Sequence, residues 1–197
     1  MKSLTDTVDS TRTVEVGGER LRIVEPAAFP LPPGGLHIAW GNLPLQVEQR
    51  VYQQRLPAVQ AFVRANGLDR VAFGAGAPGV PEGAGQRRLG IVTTGKAYLD
   101  VRQALEELRI DERRAAEIGL AVFQVALVWP LEPEAARAFC LGREDVLVVE
   151  EKRPLLEEQL ARLLYAESAR PRLAGKRDKR GAPLVPGEGE LAPAAGA

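Results

Sequence analysis

The sequence predicts an α/β protein: a three-layer αβα arrangement with a mostly parallel sheet, preceded by an extended N-terminal lead-in. Three observations carry this. Ile91-Val92-Thr93 is a short β-branched run, and after Gly95 the apolar spacing becomes helical, with Tyr98, Val101, Leu105 and Leu108 on one face. Strand and helix patterns then alternate through residues 69–175, the signature of a parallel sheet with crossover helices. Asp145-Val146-Leu147-Val148-Val149-Glu150 is the clearest buried strand of the chain.

Length and composition bound the rest. A chain of 197 residues holds one domain with a proper core and is too short for two comfortable ones. Basic and acidic residues balance at 26 each, so no net field recruits nucleic acid or a membrane surface. No apolar run is long enough to span a bilayer, and Met1-Lys2-Ser3-Leu4-Thr5-Asp6 lacks the apolar region of a signal peptide, so a cytoplasmic location is expected. Cys140 is the only cysteine, which excludes an internal disulfide and an iron–sulfur ligand set within the chain. His37 is the only histidine; with one distant thiol it makes no zinc site, and a buried thiol and a surface imidazole are the plain reading.

The chain divides into an extended lead-in (1–44), an α/β domain (45–175) and a flexible tail (176–197). In the lead-in, Thr13, Glu15 and Leu21-Arg22-Ile23-Val24 suggest two short strands around a Gly17-Gly18 turn. Pro26, Pro30, Pro32, Pro33 and Gly34-Gly35 then exclude regular structure, and Leu36 to Trp40 reads as one brief extended piece. Leu21, Ile23, Val24, Phe29, Leu36, Ile38 and Trp40 lack the periodicity to form their own core and call for another surface.

Leu45 to Tyr52 is weakly helical. Pro57 fits the first turn of a second helix carrying Val59, Phe62 and Val63, which stops at Asn66-Gly67. Asp69 to Phe73 reads as a strand. Residues 74–85 are glycine-rich and expected to be mobile. Asp111 caps a short helix ending near Gly119, and Leu120 to Val128 is an apolar strand. Trp129-Pro130, read as core plus turn, leads through Glu132-Pro133 into a helix ending near Gly142. Pro154 starts a helix with Leu155, Leu156, Leu160, Leu163 and Leu164, and Arg172-Leu173-Ala174 is a last short strand. From Lys176 the chain is charged, then rich in Gly, Pro and Ala, which predicts a loose tail.

Two nucleotide-like patterns fail in context. Gly74-Ala75-Gly76-Ala77-Pro78-Gly79 follows a strand, but Pro78, Pro81 and further glycines forbid the helix that must open there. Gly90-Ile91-Val92-Thr93-Thr94-Gly95-Lys96 spells most of a P-loop, but Ala97 replaces the magnesium-binding hydroxyl and the loop itself is strand sequence. Thr93, Thr94, Gly95 and Lys96 are therefore either a plain strand–turn–helix or a small-anion site. Glu150-Glu151-Lys152-Arg153 ends the best strand. Its adjacent carboxylates point to opposite faces and make no catalytic pair. They either reach a cofactor or neighbouring subunit, or form a solvated cluster that starts a helix. Parallel neighbours would bring the two groups together at one sheet edge. Lys176-Arg177-Asp178-Lys179-Arg180 lacks aromatic interleaving and reads as solvated tail.

Beyond this, the stretch from Gly90 to Leu105 resembles a signature of the 2-oxoacid:ferredoxin oxidoreductases, most closely the long, fused indolepyruvate branch of that family. Leu31 to Leu36, Val128 to Pro133, Val148 to Arg153, and Arg170-Pro171-Arg172 followed by Gly175-Lys176 match in order. Thr5 to Ser10 resembles the end of the pyrimidine-binding-type domain that precedes this region in the family. The resemblance implies a middle piece similar to the transketolase C-terminal domain, which packs between subunits and supports the thiamine domains.

In the complete enzyme the resemblance implies thiamine diphosphate, magnesium, 4Fe-4S clusters, homo-oligomeric assembly and indirect delivery of electrons to ferredoxin. The family's Gly-Asp-Gly…Asn diphosphate segment and its clustered cysteines are missing from this sequence, and the glycine-rich stretch 74–86 is longer than the family pattern. The expectation is thus no cofactor and no catalytic residue on this chain, with Thr93, Thr94, Gly95, Lys96, Glu150, Glu151, Lys152 and Arg153 facing a cofactor or an interface. The partners implied are the remaining domains or subunits. A free-standing α/β module binding a small ligand or partner is the alternative; neighbouring reading frames would separate the two.

Overall fold

The computed structural model describes Thr13 and residues 22–27, 29–38, 41–77 and 87–191. The strands are β1 (Arg70–Gly74), β2 (Leu89–Thr94), β3 (Leu120–Val125), β4 (Asp145–Val149) and β5 (Arg172–Ala174). They form one five-stranded sheet in the order β1-β3-β2-β4-β5. β2 is central and parallel to both β3 and β4, and β5 is parallel to β4. β1 runs antiparallel along β3, with a bulge between Val71 and Phe73. Parallel pairing requires a crossover, and the glycine-rich stretch that leaves β1 has no helical pattern to supply one.

Helix α1 (Pro44–Arg50) continues through a π-helical turn (Val51–Arg55) into α2 (Leu56–Ala65). The others are α3 (Gly95–Glu107), α4 (Glu112–Ile118), α5 (Pro133–Cys140) and α6 (Leu155–Leu164). Local chemistry sets their ends. Pro57 lies in the first turn of α2, and Asn66 closes that helix. Asp111 Oδ1 accepts from the Arg114 amide at 2.7 Å, and Gly119 ends α4 at φ 74°.

The helices cover both faces of the sheet. On one, Val101 and Leu105 of α3 and Ala115 of α4 pack on Phe73, Ile91, Leu120 and Val122. On the other, Phe139 of α5 and Leu156, Leu160 and Leu164 of α6 pack on Val92, Phe123, Val146 and Val148. Phe123 and Phe139 stack with centroids 4.9 Å apart. Each fully buried leucine here contributes roughly 1.5–3 kcal/mol. Gly90 allows the close approach of α5 to β2: a Cβ there would stand 2.8 Å from Phe139 Cε1 and 2.7 Å from Arg143 Cδ.

Several expectations are corrected. Leu108 lies past the last turn of α3 and is 69 % exposed, so the buried stripe stops at Leu105. β3 ends at Val125 rather than Val128, because the Asp69 carboxylate takes the Ala126 and Leu127 amides at 2.7 and 3.3 Å. Trp129, expected in the core, is 52 % exposed. β4 is buried on alternate residues only: Val146 and Val148 face α5 and α6, while Leu147 and Val149 are half-buried. Residues 22–24 and 36–38 are not strand. Val24 instead exchanges two 2.8 Å hydrogen bonds with the Asn66 side-chain amide, which substitutes for a strand partner. The Gly17-Gly18 turn, Trp40 and residues 78–86 lie outside the described residues.

Residues 176–191, expected as a loose tail, fold back on the domain. Lys176 Nζ donates to the Glu150 carbonyl, and to that of Pro186 at 2.9 Å. The Leu184 amide donates to the Lys176 carbonyl at 3.0 Å, and Asp178 Oδ1 accepts from the Arg180 and Ala182 amides at 2.8 and 2.9 Å. Lysines bound to backbone carbonyls and an Asp-centred turn need no apolar periodicity, so composition does not reveal them.

Candidate functional site

β2 and β4 are parallel neighbours with Thr93 opposite Val149, so their exits, Thr94-Gly95-Lys96 and Glu150-Glu151-Lys152-Arg153, stand side by side. The helix after β2 passes to one face of the sheet and the helix after β4 to the other. The crevice between them is therefore a topological switch point, where open α/β sheets hold ligands. A cleft of about 520 Å³ opens there, walled by Thr94, Lys96, Ala97, Val128, Glu151 and Leu155, among others.

Thr93 is fully buried and its hydroxyl has no hydrogen-bond partner among the described residues; it does not line the cleft. Thr94 Oγ1 donates to the Val125 carbonyl at 2.8 Å and ties β2 to β3. Gly95 has φ 54° and open space where a Cβ would stand, so the glycine serves the backbone turn into α3. That supports the strand–turn–helix reading of this stretch.

Lys96 is the hub of the mouth. Its Nζ lies 3.1 Å from Asp100 Oδ2, 3.2 Å from Glu190 and 3.8 Å from Glu151, and donates to the Leu191 carbonyl at 2.7 Å. Burial works against the ammonium, but the hydrogen bonds to Asp100 and Glu190 outweigh it and hold its pKa above the usual lysine range.

Glu150 is 4 % exposed, and its two oxygens accept from the Leu156 and Glu157 amides at 2.8 and 3.0 Å. It caps α6, whose own N-cap residue, Pro154, has no side chain for the task. Glu151, like Glu150 past the last residue of β4, accepts from the Leu191 amide at 3.0 Å. Lys152 sits at φ 60° and donates to the Gly189 carbonyl. Arg153 is exposed at the cleft rim. The structure thus gathers Thr94, Gly95, Lys96, Glu150, Glu151, Lys152 and Arg153 around one mouth and leaves Thr93 beneath it.

Sequence reasoning missed Glu132, the most deeply buried charge. It caps α5 by accepting from the Glu134 and Ala135 amides at 3.0 and 2.7 Å, and it pairs with Arg64 of α2 at 2.7 Å. Its signal was its place directly before Pro133, a helix-start residue. Leu191 gave no local signal.

A mostly parallel αβα domain with an open switch-point crevice is the class that these features define. Residues 80–197 match the family model of the indolepyruvate oxidoreductase domain, and the chain belongs to that family. Among solved structures it is similar to a split-gene transketolase, an inactive β4 tetramer, at 21% identity over 46% of this chain and 29% of that one, with a TM-score of 0.37. It is also similar to a 2-oxoglutarate:ferredoxin oxidoreductase from Magnetococcus marinus with 2-oxoglutarate, coenzyme A and succinyl-CoA bound, at 25% identity over 51% of this chain and 16% of that one, with a TM-score of 0.34. The match spans less than a third of either. No curated protein matches.

Proposed function

We propose that this chain is a non-catalytic domain of an indolepyruvate ferredoxin oxidoreductase, the enzyme of thiamine-dependent oxidative decarboxylation of aryl pyruvates to acyl-CoA with ferredoxin as electron acceptor. In this reading it supports the thiamine-binding domains by association. The observation that carries the non-catalytic role is Glu150. The one buried carboxylate at the mouth spends both oxygens on the backbone of α6, so it acts as a helix cap and not as an acid or base.

The residues present do not fit the family's cofactors. Cys140 is fully buried and its thiol is pushed up to about 11 by burial, the opposite of the thiolate that an iron–sulfur cluster needs. Among the described residues no group of three or more His, Cys, Asp or Glu side chains is placed to hold a metal. In this reading thiamine diphosphate, magnesium and the clusters are held by other segments of the oxidoreductase, and this chain supports them by association.

Association has a surface to use. Ile23, Leu31 and Ile38 of the lead-in are 64, 66 and 45 % exposed, and burial of each against a partner contributes roughly 1.5–3 kcal/mol. The test is to purify the chain alone and with the remaining oxidoreductase segments, and to follow indolepyruvate-dependent dye reduction and co-purification. The chain alone should be silent, should bind the other segments, and should lose that binding in an Ile23→Asp/Ile38→Asp variant. Dye reduction by the chain alone overturns the reading. A monodisperse monomer that ignores the other segments favours the free-standing ligand-binding module, which the cleft at the mouth, lined by Val128 and Leu155 beside charges of both signs, would suit.

A further inference from the structure

We propose that Lys96 and Glu151 form a clamp for an acidic peptide segment, and that the chain's own Glu190-Leu191 is its resident occupant. Both backbone groups of Leu191 are read by side chains of opposite sign from different elements. Its N–H donates to Glu151 Oε1 at 3.0 Å, and its carbonyl accepts from Lys96 Nζ at 2.7 Å. The Leu191 side chain is 9 % exposed, and Glu190 reaches Lys96 at 3.2 Å. One step upstream, Lys152 binds the Gly189 carbonyl. Residues 189–191 are thus gripped in succession at the carboxyl ends of β2 and β4.

The segment brings little of its own to this arrangement. Apart from the Pro186 ring, Pro186-Gly187-Glu188-Gly189-Glu190 has no apolar side chain with which to build a core, and Gly189 takes φ 73°. Each exposed ion pair alone contributes little. What makes the clamp effective is the tether: Lys176 fixes the Pro186 carbonyl, so the following residues are held close to the mouth and binding is intramolecular. The chemistry that the clamp recognises is the backbone N–H and C=O of an apolar residue preceded by an acidic one. Any other ligand for Lys96 and Glu151 must first displace residues 189–191.

Hydrogen exchange read by mass spectrometry on the full chain tests this. In peptides covering 186–191 the Leu191 amide, which donates to Glu151, should exchange at least about ten-fold more slowly in the native chain than in Lys96→Met, with a smaller loss in Glu151→Gln. Peptides from β2 and β4 should stay equally protected in all three. Glu190→Gln and Leu191→Gly, which leave the sheet untouched, should release the same peptides and serve where Lys96→Met fails to fold. An unprotected Leu191 amide in the native chain, or protection that survives all these substitutions, overturns the clamp. Protection that rises with protein concentration overturns the intramolecular occupant in favour of a second copy.

Discussion

Glu132→Ala is the substitution whose cost the structure specifies most fully. The Glu132 side chain is 0 % exposed and its Arg64 partner 40 %. Oε1 accepts from the Glu134 amide at 3.0 Å and from Arg64 Nε and Nη2 at 3.0 and 2.7 Å, and Oε2 accepts from the Ala135 amide at 2.7 Å. Removing a helix cap costs about 0.5–2 kcal/mol, and each buried donor left unpaired about 1–3 kcal/mol. These overlap, since the orphaned donors are the cap's own partners. Breaking a fully buried ion pair costs about 3–5 kcal/mol, but water can reach Arg64, so the sum should settle near 3 kcal/mol. Glu132→Gln keeps one acceptor for Ala135 and should cost about half as much.

The assay is urea unfolding followed by far-ultraviolet circular dichroism. With a slope of about 2 kcal/mol/M the midpoint should fall by about 1.5 M for Ala and about 0.7 M for Gln, with the slope unchanged. The Glu132 charge is also one of the influences that hold the Asp69 carboxyl above its usual range, after burial itself, so Glu132→Gln should lower the Asp69 pKa measured by NMR. An Ala midpoint within about 0.25 M of the native chain, or equal losses for Ala and Gln, would refute the reasoning.

Further expectations concern other parts of the fold. Gly74→Ala places a Cβ 2.3 Å from the Leu120 carbonyl at φ +79°, whereas Gly76→Ala at φ +90° meets open space. The first should cost at least about 2 kcal/mol more than the second in thermal melts, and equal effects would show that backbone sign alone matters there. The Arg172 hydrogen bonds at 2.7 and 2.6 Å hold the Asp145 pKa below its ordinary 3.8. A depressed folded-state pKa stabilises above the unfolded value and loses that contribution as pH falls through the folded one. The native chain should therefore exceed Asp145→Asn in stability at pH 7 and converge with it in acid, below the ordinary carboxyl range; a difference that persists there would exclude the ion pair as its source. Cys140 should resist a thiol reagent at pH 8 in the folded chain and react fully in urea, and stoichiometric labelling of the folded chain would contradict its burial.

The legible parts of this fold are those set by neighbours in sequence. The β2-to-α3 transition, the Asp111 cap, Pro57 in α2 and the three-residue β5 follow from local spacing and turn chemistry. The gathering of Lys96 with Glu151 follows from parallel pairing, because neighbouring parallel strands align their exits. What stayed hidden depends on distant partners. Glu150 caps a helix from six residues upstream of Leu156, outside the usual cap spacing, so its carboxylate reads as free. Asp69 ends β3 from another strand's entrance, 57 residues away in sequence. Leu191 is held through its backbone, which no side-chain pattern encodes.

The two outer strands carry a consequence for assembly. β1 closes one side of the sheet with an irregular, bulged antiparallel ladder, and β5 closes the other with a strand of three residues. A distorted rim and a very short one offer poor templates for an incoming strand. Growth of the sheet from one copy into the next is thereby discouraged at both margins. Under the proposed function, association would then fall to the exposed apolar side chains of the lead-in, such as Ile23 and Leu31, rather than to strand addition.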